Sequence, residues 1–249
     1  MTRRAPAIVM LPFLPALAAA LPALAGEDAQ EPRAPLRVLD FEIEDAAVRR
    51  VVEGYTISRA LEAVRFVGRR GHEEFLLERL PLATALARHL HEPLEPYNVT
   101  ERAPGEYDVD DRGALRGRLR LVAKAPGRRV YYAEGQFRSL AQLLRLDGAM
   151  VITLHYREGE DPSQPALMNA PQLYVRLDNI LAHGILKILS PLIHGVIDRR
   201  FAHLAGAAEK VSARMMKDPA GLYREMQGWP DVTDAQRADF LRQFGLADE

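Results

Sequence analysis

The 249-residue chain contains no cysteine. That absence excludes disulfides, thiolate metal sites, a cysteine nucleophile and the lipid-modified cysteine of a bacterial lipoprotein. Charge of one sign is not in excess either. Lys and Arg together number 33 against 34 Asp and Glu, for a formal net charge of -1, so nothing points to the basic patch a nucleic-acid partner needs. Catalytic signatures are also missing. Ser58, Ser139, Ser163, Ser190 and Ser212 stand in no Gly-x-Ser-x-Gly elbow. Gly113, Gly117, Gly127 and Gly135 build no phosphate-cradling loop and read as strand ends and bends. Asp110-Asp111 and Glu158-Gly159-Glu160-Asp161 lack the ligand spacing of a calcium loop and read as solvated turns. Neither a metal nor a cofactor is expected.

What is present begins with a leader. Arg3 and Arg4 precede an apolar stretch from Ala5 to Leu24, ending in the small-x-small pattern Ala23-Leu24-Ala25. This reads as a signal peptide, residues 1–25, cleaved after Ala25. Pro12, Pro15 and Pro22 argue against a permanent anchor. Losing the two charges of Arg3 and Arg4 would take the net charge from -1 to -3. Export to the periplasm or the exterior is the expected localisation. The apolar stretch Ile180 to Val196 contains His183, Lys187, Pro191 and His194, too many polar groups for a lipid-facing span.

Residues 26–35 read as a flexible leader, 36–217 as one α+β domain and 218–249 as a helical tail. Leu36 to Ile43 reads as a first strand. Apolar spacing predicts helices over Ala46 to Val67 and His72 to His89, the second divided or kinked at Pro81. The period then becomes two. A hairpin is expected at Tyr97–Glu101 and Glu106–Asp110, followed by strands Leu115–Lys124, Arg128–Phe137, Met150–Arg157 and Gln172–Leu177. In the first of these four strands Leu119, Leu121 and Ala123 share one face, and Arg118, Arg120 and Lys124 the other. Such alternation marks an antiparallel sheet with one buried and one solvated face. A long helix over Asp178 to Lys217, capped by Asp178 and bent or split at Pro191, would cover the buried face. A last helix, Thr233 to Phe244, with Thr233 as its cap, packs outside the domain or extends away.

This order of strand, two helices, antiparallel strands and long C-terminal helix resembles the helix-grip fold of the START-like superfamily, which includes polyketide cyclases and lipid-transfer domains. It rests on Leu115 to Phe137, Met150 to Arg157 and the Gln172 to Lys217 strand-to-helix passage. The resemblance implies an antiparallel β-sheet packed against a long C-terminal helix, with a cavity between them for an apolar small molecule or lipid.

Candidate lining residues are Tyr131, Tyr132, His155 and Tyr174 on neighbouring strands, whose rings and polar tips suit ligand contact; the same residues also suit a solvated strand face. His183 and His194 fall three helical turns apart on the long helix, with Asp198 four residues beyond His194. They form either a polar strip inside the cavity or a half-exposed helix edge. His89-x-His91, at a helix end, suits the helix dipole better than zinc. Three functions remain open: an exported carrier of an apolar molecule, an envelope structural or interaction protein with a solid core and a protein partner, and a cyclase- or hydrolase-like enzyme using His155, His183 or His194.

Overall fold

The computed structural model describes residues 43–90, 98–110, 115–139, 144–161, 165–178 and 183–247. The leader, nearly all of the expected strand at Leu36–Ile43, and His91 lie outside them. The chain opens with α1 (Ala46–Glu53), where Asp45 caps the helix by accepting hydrogen bonds from the amides of Ala47 at 2.9 Å and Val48 at 3.1 Å. Gly54 ends it. The expected helix therefore stops a third of the way along, and the chain continues as β1 (Ile57–Ala60) and β2 (Val64–Val67). The β-branched Ile57, Val64 and Val67 fit strands, and Phe66 alternates with exposed neighbours.

The divided helix occurs as α2 (Arg70–Leu77) and α3 (Leu80–Leu90), with Pro81 in the first turn of α3, where its missing N–H costs nothing. Then come β3 (Asn98–Ala103), β4 (Glu106–Asp110), β5 (Leu115–Ala125), β6 (Arg128–Ser139), β7 (Leu144–Glu158) and β8 (Ala166–Leu177). Both β7 and β8 are longer than the alternation alone suggested. Helices α4 (His183–Lys217), α5 (Pro219–Met226) and α6 (Asp234–Phe244) close the chain. Helix α4 runs through Pro191 as one element of 35 residues rather than two.

All strand pairs are antiparallel, in the order β1-β8-β7-β6-β5-β4-β3, with β2 also on β8. Strands β1 and β2 are one edge interrupted opposite Pro171. Pro171 has no N–H to offer, and the three residues between Ala60 and Val64 bulge past it while the amide of Leu61 donates to the Pro171 carbonyl at 3.0 Å. With β1 and β2 as the opening strand, this is the α+β helix-grip arrangement that the element order implied.

A second irregularity reverses part of a sequence-level expectation. The register of β5 against β6 shifts between Leu121 and Ala123. The extra residue flips the faces, so Ala123 joins the outer cluster while Lys124 turns inward to Glu78 at 2.9 Å. The outer face is not wholly solvated either. Val48, Val51 and Val52 of α1 pack there on Val130, Val151 and Tyr174. The inner face carries Phe66, Tyr131, Leu154, Tyr156 and Leu167.

The C-terminal tail is part of the domain core. Leu222, Tyr223, Met226, Val232 and Phe240 from the tail bury themselves with Phe75, Leu76, Leu82 and Leu86 of α2 and α3 and Met215 of α4. Thr233 caps α6 in a reciprocal capping box with Gln236, as its position suggested. The His89 ring stacks on Trp229 at 4.0 Å and meets Asp231 at 2.8 Å, an assignment to tail docking rather than to metal.

Candidate functional site

The cavity between the sheet and α4 arises from small side chains on both facing surfaces. On the sheet, Gly117, Gly135 and Gly148 sit side by side in register across β5, β6 and β7, with Ala133 next to them. Nothing projects from this row. The strands also approach each other closely here: a Cβ on Gly135 would lie 2.4 Å from the Arg116 carbonyl oxygen. Across the gap, α4 presents Ala202, Ala205, Ala207 and Ala208. The space left has a volume of about 1040 Å³. Its wall is mainly apolar, including Leu119, Met150, Ile152, Leu173, Val175 and Leu177 from the sheet, Leu76, Leu77 and Leu80 from the short helices, and Ile197, Phe201 and Leu204 from α4.

This volume is too large for a packing defect. Sealed and empty, at about 24 cal/mol per Å³ it would cost more than the roughly 5–15 kcal/mol of stability a domain holds, and it is instead partly open to solvent. It lies at the upper end of the size range of small-molecule sites, about 300–1,000 Å³. Arg59 of edge strand β1 reaches across to Asp198 of α4 in a two-pronged ion pair at 2.7 and 2.5 Å, and both residues border the cavity.

One lining residue is anomalous. Glu73 of α2 is only 6 % exposed, and burial pushes its carboxyl up to about 7. The carboxyl has no hydrogen-bond or ion-pair partner among the described residues. Its neighbours do: Glu74 accepts from the Gly127 amide at 3.1 Å, and Glu78 pairs with buried Arg129 at 2.6 Å. Asn169 also borders the cavity, and its Oδ1 is buried without a partner.

Of the residues singled out from sequence, the four on the strands fall elsewhere. Tyr131 points inward but packs with Phe66, Leu154, Tyr156 and Leu167, its hydroxyl donating to the Leu77 carbonyl at 2.5 Å. Burial raises its phenol far above the ordinary range. Tyr132 and Tyr174 point the other way, because they follow the inward Tyr131 and Leu173 by one residue. Tyr132 borders a separate outer hollow of about 200 Å³ beside α1, and Tyr174 packs edge-on to Tyr55 at 5.8 Å. His155 is exposed on the outer face. The side chains of His183 and His194 lie outside the described residues. No described histidine lines the cavity, and no group of three or more potential metal ligands occurs among the described residues. Among those residues, no helix is long and apolar enough to cross a membrane.

Sequence reasoning missed Glu73, although a signal was there. Glu73 stands three, four and seven residues before Leu76, Leu77 and Leu80, on the apolar stripe itself. A carboxylate interrupting such a stripe is the mark of a buried acid.

No family model matches the chain, and no curated protein matches it in sequence. Solved structures similar in arrangement include a conserved protein from Geobacillus kaustophilus, 9% identical with a TM-score of 0.43, covering 61% of this chain and 93% of that one. Norcoclaurine synthase from Thalictrum flavum is 14% identical with a TM-score of 0.40, covering 72% of this chain and 96% of that one. The di-domain ARO/CYC protein BexL is 14% identical with a TM-score of 0.38, covering 63% of this chain and 50% of that one. These are likenesses of arrangement at low identity, and they leave the task of this chain to its own residues.

Proposed function

We propose that this protein is an exported carrier that binds a lipid or other apolar small molecule between its sheet and α4 without chemically changing it. The observation that carries the reading is the mainly apolar cavity of about 1040 Å³. Export is supported by the Arg3-Arg4 leader and the Ala23-Leu24-Ala25 cleavage pattern. A space of this size supports a guest over the solid core of the structural alternative, and His155, one of the three histidines of the enzyme alternative, faces away from it. Native mass spectrometry and solvent extraction of freshly purified protein test the carrier reading. A co-purifying apolar molecule, or saturable exchange with the neutral dye Nile red, is the expected result. Protein that carries nothing and takes up no dye overturns it.

A further inference from the structure

Helix α2 carries two glutamates and Glu78 ends it, and two of these three acids are satisfied by the sheet beneath them. Glu74 holds the Gly127 amide, and Glu78 holds Lys124 and Arg129. Glu73 is the most buried of the three. The phenols of Tyr131 and Tyr156 feel its charge, and both hydroxyls are engaged elsewhere. Tyr131 donates to the Leu77 carbonyl and Tyr156 to Glu74 at 3.4 Å. The position of Glu73 in the first turn of α2 favours a negative charge, which offsets part of the burial cost but supplies no partner. An unpartnered buried carboxyl costs stability, and hydrophobic side chains fill this stripe elsewhere.

The second orphan borders the same cavity. Asn169 lies in register with Val64 on one side and Tyr156 on the other, and its Oδ1 has no partner. The Asn169 Oδ1 is itself closed off from the space, so Glu73 is the acceptor that faces this mainly apolar cavity. We propose that Glu73 forms the polar anchor of the cavity and receives the hydrogen-bond-donating end, a hydroxyl or an amine, of an otherwise apolar ligand. This rests on the cavity-binding reading and adds a chemical class to it. A carboxyl with its proton held up to about 7 serves both groups: it bonds a neutral hydroxyl in either protonation state, and gives up its proton to pair with an ammonium.

Displacement of Nile red by 1-decanol, decylamine and decyl methyl ether tests the anchor. The three share a chain, and only the ether lacks a donor. In the wild-type protein the alcohol, the amine or both should displace dye at about tenfold lower concentration than the ether. The ratio to the ether is the readout, so each variant is its own reference. In Glu73→Leu the ratio should fall towards one. In Glu73→Gln, which keeps the shape but cannot pair with an ammonium, the amine should lose its advantage while the alcohol keeps most of its own. A preference for the alcohol alone assigns a hydroxyl ligand, and for the amine alone an amine. Equal displacement by all three in the wild type overturns the anchor while leaving the carrier reading intact. So does a preference undiminished in both variants. Should Glu73→Leu fail to fold, Glu73→Met, closer in length to the native side chain and equally without an acceptor for the alcohol or the amine, supplies the same ratio. Absence of dye binding in the wild type overturns the carrier reading, and the anchor with it.

Discussion

The inner face of the sheet is two surfaces with opposite designs. Beneath α2 it is filled: Tyr131, Tyr156, Phe66 and Leu167 interlock, and the two phenol hydroxyls are tied to the helix by Leu77 and Glu74. Beneath α4 it is bare: Gly117, Ala133, Gly135 and Gly148 face a row of alanines. The same strands supply both ends. The filled end gains stability from close packing, and the bare end gives up packing to leave room for a guest. Stability and binding are therefore separable along the length of a strand, and substitutions at the two ends should report different things.

The sharpest contrast is between Leu167 and Met150. Leu167 is 0% exposed in the filled end, so Leu167→Ala should cost about 2–5 kcal/mol in a denaturant melt. Met150 borders the cavity, where the removed atoms already lack neighbours on one side, so Met150→Ala should cost about 1 kcal/mol or less. Equal losses at the two sites would mean that the bare end is packed in solution, and the comparison would fall.

Glu73 lies where the two ends meet, and its expected effect is nearly as large. Its folded value, about 7, stands above its ordinary value of 4.5. Between those limits the folded state binds more protons than the unfolded one, so this group lowers stability as pH rises through the window and adds no further change above it. The loss is about 3 kcal/mol, an order-of-magnitude figure from the size of the shift. Thermal or denaturant melts at pH 4.5 and 8 should show that extra fall in the wild type and not in Glu73→Gln. A pH dependence unchanged by the substitution would place the carboxyl in water.

Filling the bare end should do the reverse of emptying the packed one. Ala208→Leu adds volume from α4 into the cavity. Dye uptake should fall by about tenfold, while the melt moves by no more than about 1 kcal/mol, since the added atoms enter empty space rather than a close-packed core. A large destabilisation with dye uptake intact would show that α4 lies closer to the sheet than described.

How much of this was legible in the sequence divides along the same line. Strands β3 to β8 and the long helix came from periodicity, which reads local backbone well, and the division into α2 and α3 from Pro81, which lies in the first turn of α3. The misreadings fell where one residue decides. The stretch 54–67 mixes helical and alternating spacing, and only the Gly54 stop separates α1 from β1. One extra residue near Val122 turned Ala123 outward and Lys124 inward. Parity alone put Tyr132 and Tyr174 on the outer face, where α1 covers them, and that cover was invisible because a helix on the far side of a sheet leaves no mark on strand alternation. The cavity was implied only by resemblance. Its physical cause, glycines of three strands falling into register under the alanines of α4, depends on pairing that periodicity does not specify.

The smallest expected effect concerns the rim. Arg59 and Asp198 join β1 to α4 beside the cavity, with side chains 34% and 45% exposed. An ion pair that open to water contributes about 0–1 kcal/mol, and salt screens it further. Arg59→Ala should therefore leave the melt nearly unchanged. Its influence should appear in exchange instead, because a contact between the edge strand and the helix opposes their separation when a guest leaves. If the whole of that contribution were lost on opening, dye release would speed up by no more than about fivefold. High salt should produce the same acceleration in the wild type and none in the variant. Release that ignores both the substitution and the salt would move the route of entry away from the β1–α4 rim, and would mark the filled and bare ends as joined at some other edge of the sheet.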